Sequence, residues 1–425
     1  MSISRALLGI CLRGLFVAMA TALAVAGAAA GEPIPIAPGE SLQSAIASAE
    51  PGDVLRLERG RHQGPIVLDK PLTLVGDEGA VLLGSGHGSV ISITVPGVTV
   101  KGLTIRGSGI DVPAMDSAIL VARTAPGAKI FNNRLEGNLF GVYLHGAGNS
   151  VVKNNVIVGR SDLRISEAGN GVSIWNAPGA KVIGNDFRLG RDGIFVNTSK
   201  ENEFRDNRFS GLRFAIHYMY THDSKITGNR SRGNHVGWAL MYSDRLEVRD
   251  NLSEGDRDHG LLMNYVNDSV VTGNVVRSSE NKCLFIYNAH RNRIAHNWFE
   301  GCLIGIHFTA GSEQNQVFGN AFVNNQTQVK YVGSRIVEWS YQGLGNYWSD
   351  NAAFDLNGDG ISDRPYRPND IVDDILWRYP QAKLLLNSPA MDVLRYAQSR
   401  LPALYPGGVL DTAPLMRPPD MRAGS

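Results

Sequence analysis

Four side chains near the middle of this 425-residue chain could hold a soft metal ion: the thioethers of Met219 and Met241 and the imidazoles of His217 and His259. Thioether and imidazole are soft-to-borderline donors and suit Cu(I) better than magnesium or calcium. Two or three such ligands would hold Cu(I) loosely enough to pass it on. His222 is a weaker candidate nearby, and His307 and Cys283 are further soft donors. A harder chemistry is written at Asp355, Asn357, Asp359 and Asp363, where oxygen donors alternate around a glycine turn and resemble a calcium loop. Tyr366 stands where such a loop carries its twelfth-position Glu, and Asx turns alone can produce the same pattern.

The interval between Met219 and Met241 is the interval of the chain. Asn recurs at 133, 155, 185, 207, 229, 251, 274, 297 and 320, mostly 22 or 23 residues apart, with a single step of 30. Three residues before each stands an apolar residue, from Ile130 to Val317 and including Ile226. Fourteen residues before most of them stands a small one, such as Gly141, Gly171, Gly193, Ala215, Gly237 or Gly260. After the small residue hydrophobicity alternates with period 2, as in Gly193-Ile-Phe-Val-Asn197. Short alternating strands separated by Asn, Gly, Asp and Ser turns, at a fixed period, predict one solenoid coil per repeat. The Asn column fits a turn whose side-chain amides bond backbone and one another.

This register sorts the side chains. In the strand after the small residue, the first and third positions point inward, so the second and fourth point outward. The second column includes Phe195, His217, Phe285 and His307; the fourth reads His145, Trp175, Asn197, Met219, Met241, Asn264, Tyr287 and Thr309. Met219 and Met241 are therefore neighbours in adjacent coils, His217 shares their face, and His259 of the next coil is expected to reach the same area. Met263 falls inward. So does Tyr218, and a shift of this coil by one residue would turn His217 and Met219 inward instead. Trp175, Phe195, Phe285 and Tyr287 form a candidate docking face for a protein partner. A sugar-cleaving enzyme needs an acid/base constellation such as paired carboxylates. The two columns hold none, and Asp192 and Asp258 lie three coils apart.

Weaker coils reach back to Val54-Leu-Arg-Leu57, and residues 41–49 suit a short amphipathic helix covering the solenoid's open end. Residues 1–30 read as a signal peptide, with Arg5 and Arg13, an apolar run and Ala28-Ala29-Ala30 before the cleavage point. The expected organisation is signal peptide 1–30, parallel β-helix 34–345 with 22-residue coils, and a C-terminal extension 346–425. The extension carries the loop 355–363, a short helix at 388–403 started by Ser388 and Pro389, and a Pro-rich apolar tail over 385–425 suited to docking. Export leaves Cys283 and Cys302 in a compartment that permits disulfides; they could pair, stay as buried thiols or bind a soft metal. Lys and Arg total 41 against 40 Asp and Glu, so no basic excess exists to bind nucleic acid. The 48 Gly lack a collagen period, and three Cys are too few for a disulfide scaffold.

The segment Ala49-Glu-Pro-Gly-Asp-Val-Leu-Arg-Leu-Glu-Arg-Gly60 resembles the opening of the carbohydrate-binding and sugar-hydrolase repeat superfamily, which folds as a right-handed parallel β-helix. The stretch Phe214 to Asn229, with Val236 to Asn251, His259 to Tyr265, Lys282 to Asn292 and Gly343 to Asn351, is similar to the NosD family of periplasmic maturation factors for nitrous oxide reductase. The resemblance implies a non-enzymatic, periplasmic component of an ABC-transporter complex. It implies partnership with the permease and its ATPase, membrane association through that permease, a copper chaperone lipoprotein as donor, and delivery of copper, with sulfur as a second cargo, to the reductase's copper–sulfur centre. A β-helix polysaccharide lyase, epimerase or hydrolase and a metal-free docking scaffold are the alternatives.

Overall fold

A computed structural model describes residues 32–386, 388–401 and 407–420; the expected signal peptide lies outside them. The chain winds into a parallel β-helix whose walls are three sheets of 13, 12 and 13 strands. One coil shows the logic. Lys225–Thr227 lies in the first sheet, Arg230–Arg232 in the third and Val236–Asp244 in the second, before Glu247–Arg249 starts the next coil. The three-residue strands of this coil bury their central side chains, and Phe204, Ile226 and Val248 stack inside at successive levels. The coils repeat in register because a slip of one residue would turn every inward side chain outward.

The Asn column forms one corner. Each side-chain Nδ2 donates to the Oδ1 of the next coil's Asn, from Asn133 onward to Asn320, at 2.9–3.1 Å. Asn346 continues the series, accepting from Asn320 at 2.9 Å. The left-handed backbone of this corner belongs to the residue before each Asn, for example Asn154, Asp206, Gly228 and Asp250. The column Asn is thus kept for its amide, and its neighbour for the turn.

The helix Leu42–Ser48, capped by Ser41, buries Leu42 and Ile46 in the core at the N-terminal end. Cys283 and Cys302 form a disulfide, with Cα atoms 5.7 Å apart, which takes Cys283 out of the set of metal donors. Beyond the coils stand helix Ile371–Arg378, which the sequence reading did not anticipate, and helix Pro389–Arg400. Ser388 occupies the cap position of the second helix without a side-chain capping bond. Residues 408–415 do not hang free as a docking tail. Gly408–Leu410 pairs with Ile336–Glu338, and Leu415 bridges Tyr347 and Ile361. The buried Asp411 accepts from Asn346 N–H at 2.7 Å and from the Trp348 indole at 2.8 Å. This segment therefore covers Trp339 and Trp348 on the last coil.

The interior is not apolar throughout. Where coils on either side carry Phe209 and Val276, Ser231 and Ser253 point inward onto Asp256, which is fully buried. Asp256 accepts from Ser231 at 2.8 Å, Ser253 at 2.5 Å and the Asn234 backbone at 2.8 Å. Burial pushes its carboxyl up to about 6, against hydrogen bonds that pull it down. A raised folded-state pKa gives stability that is complete below the unfolded value near 3.8 and is lost as pH rises through about 6. Asp256→Asn should remove that loss, since Asn234 already fills the equivalent place one coil earlier and accepts from Leu212 N–H at 2.8 Å. The variant should gain roughly 1–3 kcal/mol over the parent at pH 8 and lose the advantage below pH ~4. Urea melts at the two pH values check this; an unchanged difference would mean the carboxyl is not the strained group.

Candidate functional site

The second sheet carries the expected columns on its outer face. Phe214–His222 pairs with Val236–Asp244, and Met219 lies directly opposite Met241. Both are half-buried, one strand spacing of about 4.8 Å apart. Tyr218 is completely buried, edge-on to Phe204 with ring centres 5.6 Å apart, so the coil keeps the register that faces His217 and Met219 outward.

His217 is anchored. Its Nδ1 lies 3.1 Å from Asp192 Oδ2, and Arg213 grips the same carboxylate with Nε at 2.8 Å and Nη2 at 2.6 Å. Burial pushes the Asp192 carboxyl up, but the His217 and Arg213 hydrogen bonds outweigh it and hold its pKa below the ordinary value. With the ionised Asp192 on Nδ1, Nε2 is the ring nitrogen left for a metal, the arrangement in which a carboxylate orients a ligating histidine. Strict alternation through the small residue assigns Asp192 to the interior. In the structure the pairing skips Gly193 and Ala215, joining Asp192 to Phe214 and Ile194 to Ile216, and the alternation breaks there.

His259 is not part of this group. It pairs with Val236, five residues before Met241, a separation of roughly 16 Å along the strand. It stands nine-tenths buried, with Asp258 Oδ1 3.0 Å from its Nδ1 and its ring edge-on to Phe285 at 5.5 Å. Burial lowers its pKa, and burial with the nearby Lys330 and Lys282 pulls His307 down to about 4. His222, three residues past Met219, sits 3.2 Å from Asp244. Among the described residues no three His, Cys, Asp or Glu side chains gather to hold a metal ion, so a site on this face depends on the thioethers.

The docking residues flank the methionines on the same sheet. Trp175 tilts against His145 at 4.8 Å and Phe195 lies 5.0 Å from His217. On the other side Phe285 stacks on His307 at 4.7 Å and Tyr287 is 42% exposed. Beside them runs a feature absent from the sequence reading. Tyr220, Tyr242 and Tyr265 follow Met219, Met241 and Asn264, are exposed, and stack at 5.2 and 5.1 Å. All three hold φ of 50–53°, a left-handed backbone filled by Asn176 and Asn288 in other coils. A bulky residue there is strained, at a cost of order 1 kcal/mol. The signal was Tyr at the coil interval, next to the metal column.

In the C-terminal loop the candidate calcium donors close on the loop itself. Asp355 accepts from Gly358 and Gly360 N–H at 2.6 and 2.8 Å, Asp359 from Ile361 at 2.8 Å, Asn357 from Asp359 at 2.9 Å and Asp363 from Leu356 at 2.7 Å. A cation would compete with those bonds.

Residues 154–353 match the model of a family described as periplasmic copper-binding protein (NosD). A protein of Stutzerimonas stutzeri named probable ABC transporter binding protein NosD is 41% identical over 378 residues, 86% of this chain and 87% of that protein. One of the same name from Pseudomonas aeruginosa is 42% identical over 398 residues, covering 88% and 93%. Among solved structures, the Streptococcus pneumoniae adhesin PfbA superposes with a TM-score of 0.52 at 13% identity, over 68% of this chain and 94% of its own. A Yersinia enterocolitica family 28 exopolygalacturonase reaches 0.50 at 13% identity, over 71% and 77%. At such identities these two show a shared fold alone.

Proposed function

Because this chain belongs to the NosD family of periplasmic copper-binding proteins, we propose that it is the periplasmic component of an ABC-transporter complex that binds Cu(I) transiently and hands it on for maturation of nitrous oxide reductase's copper–sulfur centre. The observation that carries the reading is the pairing of Met219 with Met241 beside a His217 whose Nδ1 is fixed by Asp192. Two thioethers and one imidazole nitrogen fit a soft cargo ion. The relatives are named as binding proteins, which supports a non-enzymatic role. Anaerobic competition titration of the mature protein tests the reading: one Cu(I) per chain is expected, and no binding above a chelator-limited background would end it.

Among the described residues no helix is long and apolar enough to cross a membrane. Association with the membrane through the permease is part of the proposal. Leu384, Leu385 and Val393, exposed by 93%, 53% and 64%, are the surface of the C-terminal helical segment offered to it. The copper face is offered to the donor lipoprotein and the reductase. The stacked tyrosines serve that docking: strain and ring stacking, each about 1 kcal/mol, nearly cancel in the free protein, which leaves binding as their use. The triple variant Tyr220→Asn, Tyr242→Asn, Tyr265→Asn should therefore melt within a few degrees of the parent. Its recovery of apo-reductase in a pull-down should fall at least tenfold; recovery at the parent level would remove the tyrosines from the interface.

A further inference from the structure

A groove of about 550 Å³ lies on the third sheet, a different wall from the copper face. Arg188, Arg208, Arg230 and Arg232 line it with two acids, Asp186 and Glu254. Elsewhere on the solenoid, charges in adjacent coils are matched: Arg245 with Asp223, Arg291 with Asp268, Lys225 with Glu247. In the groove both acids are already committed. Arg188 holds Asp186 from within its own strand, and Arg232 holds Glu254 across to the next. Arg208, whose register partner on its other side is the already bonded Asp186, and Arg230 remain directly opposite each other, with no ion pair or side-chain hydrogen bond for either among the described residues. Like charges opposite each other in neighbouring strands destabilise a sheet. Two arginines on backbones one strand spacing apart, about 4.8 Å, each with a rigid fork of donors, complement an anion bearing two charged oxygens. The groove is far larger than a single tetrahedral ion, and Leu252 gives one end an apolar wall.

We propose that this groove binds a small dianion, with Arg208 and Arg230 as its paired ligands and Leu252 against any organic part. The shared chemistry is the dianionic oxyanion group, free or as an ester. Calorimetric and thermal-shift titrations of the full-length mature protein would use inorganic phosphate, sulfate and glycerol 3-phosphate, with chloride at matched ionic strength. The dianions should bind and raise the melting temperature beyond chloride, and Arg208→Gln or Arg230→Gln should weaken that binding at least tenfold. Without added dianion each variant should melt no lower than the parent, because one of two repelling charges is gone. Glycerol 3-phosphate binding more tightly than phosphate identifies an ester as the occupant; equal affinities identify the free ion. Shifts no larger than with chloride, or the same in parent and variants, would overturn the proposal.

Discussion

Met219→Leu and Met241→Leu should each weaken Cu(I) binding by at least about 100-fold, since even loss of a group that only orients a metal ligand typically costs about 10–100-fold. Leucine keeps most of the volume and apolarity, so packing of a half-buried residue changes little. The thioether lone pairs are what disappears. A surface used only for docking would tolerate both swaps, which is why these variants separate the two uses of one face. Asp192→Asn should act more mildly, about tenfold, by loosening the Nδ1 anchor without removing a donor. In cells carrying either Met variant, the reductase should be made and exported but lack its complete copper–sulfur centre. Full Cu(I) affinity in both variants would move the site elsewhere on the second sheet, with His259 and His307 the next residues to replace.

Deleting residues 407–425 should destabilise the C-terminal coils severely. The segment covers Trp339 and Trp348, both almost fully buried and stacked with Phe322. Re-exposing roughly 150 Å² of apolar surface costs about 4 kcal/mol at ~25 cal/mol per Å². Loss of Asp411 also exchanges its hydrogen bonds from the Asn346 N–H and the Trp348 indole for bonds to water, at about 1 kcal/mol each. The expected result is a lowered first transition on melting, with near-ultraviolet dichroism of the tryptophans lost in that step. Helix Pro389–Arg400 stays in the deleted protein, so capture by the permease should outlast the loss of stability at low temperature. A melting curve superimposable on the parent's would show that the return of the chain is ornamental.

Much of this architecture was legible because a solenoid repeats its constraints. One coil read correctly predicts the others, so Ile226, Met219 and Met263 fall where the alternation puts them. The reading failed where a coil departs from strict alternation or where distant segments meet. His259 stands next to the small residue of the coil after Met241, which suggests the methionines' area, but it pairs with Val236, five residues back along the strand. Asp192 is legible as an acid beside its coil's small residue, but its contact with His217 is not, because the alternation breaks at Gly193. Asp411 and Asn346 are 65 residues apart, and nothing local in either segment announces the other. The tyrosines were missed for a different reason: their position is a turn slot, where sequence reasoning expects Asn or Gly and does not look for function.

The corner asparagines have an electrical consequence. In the strands of a parallel sheet backbone dipoles largely cancel. The asparagine amides do not, because every Nδ2 in the column points toward the C-terminal end. With a peptide-like dipole of about 3.5 D every ~4.8 Å, the row amounts to about 0.15 of an elementary charge at each end, roughly a third of a helix's. Its negative pole, Asn133 Oδ1, meets the Leu103 N–H at 3.1 Å. Its positive pole is Asn346, and the group it meets is the Asp411 carboxylate, 2.7 Å from its backbone nitrogen and 3.3 Å from its Nδ2. The molecule is therefore a polar rod with a defined direction, and the returning tail places a negative charge on its positive pole. A coil added to or removed from that end would have to carry the same charge with it.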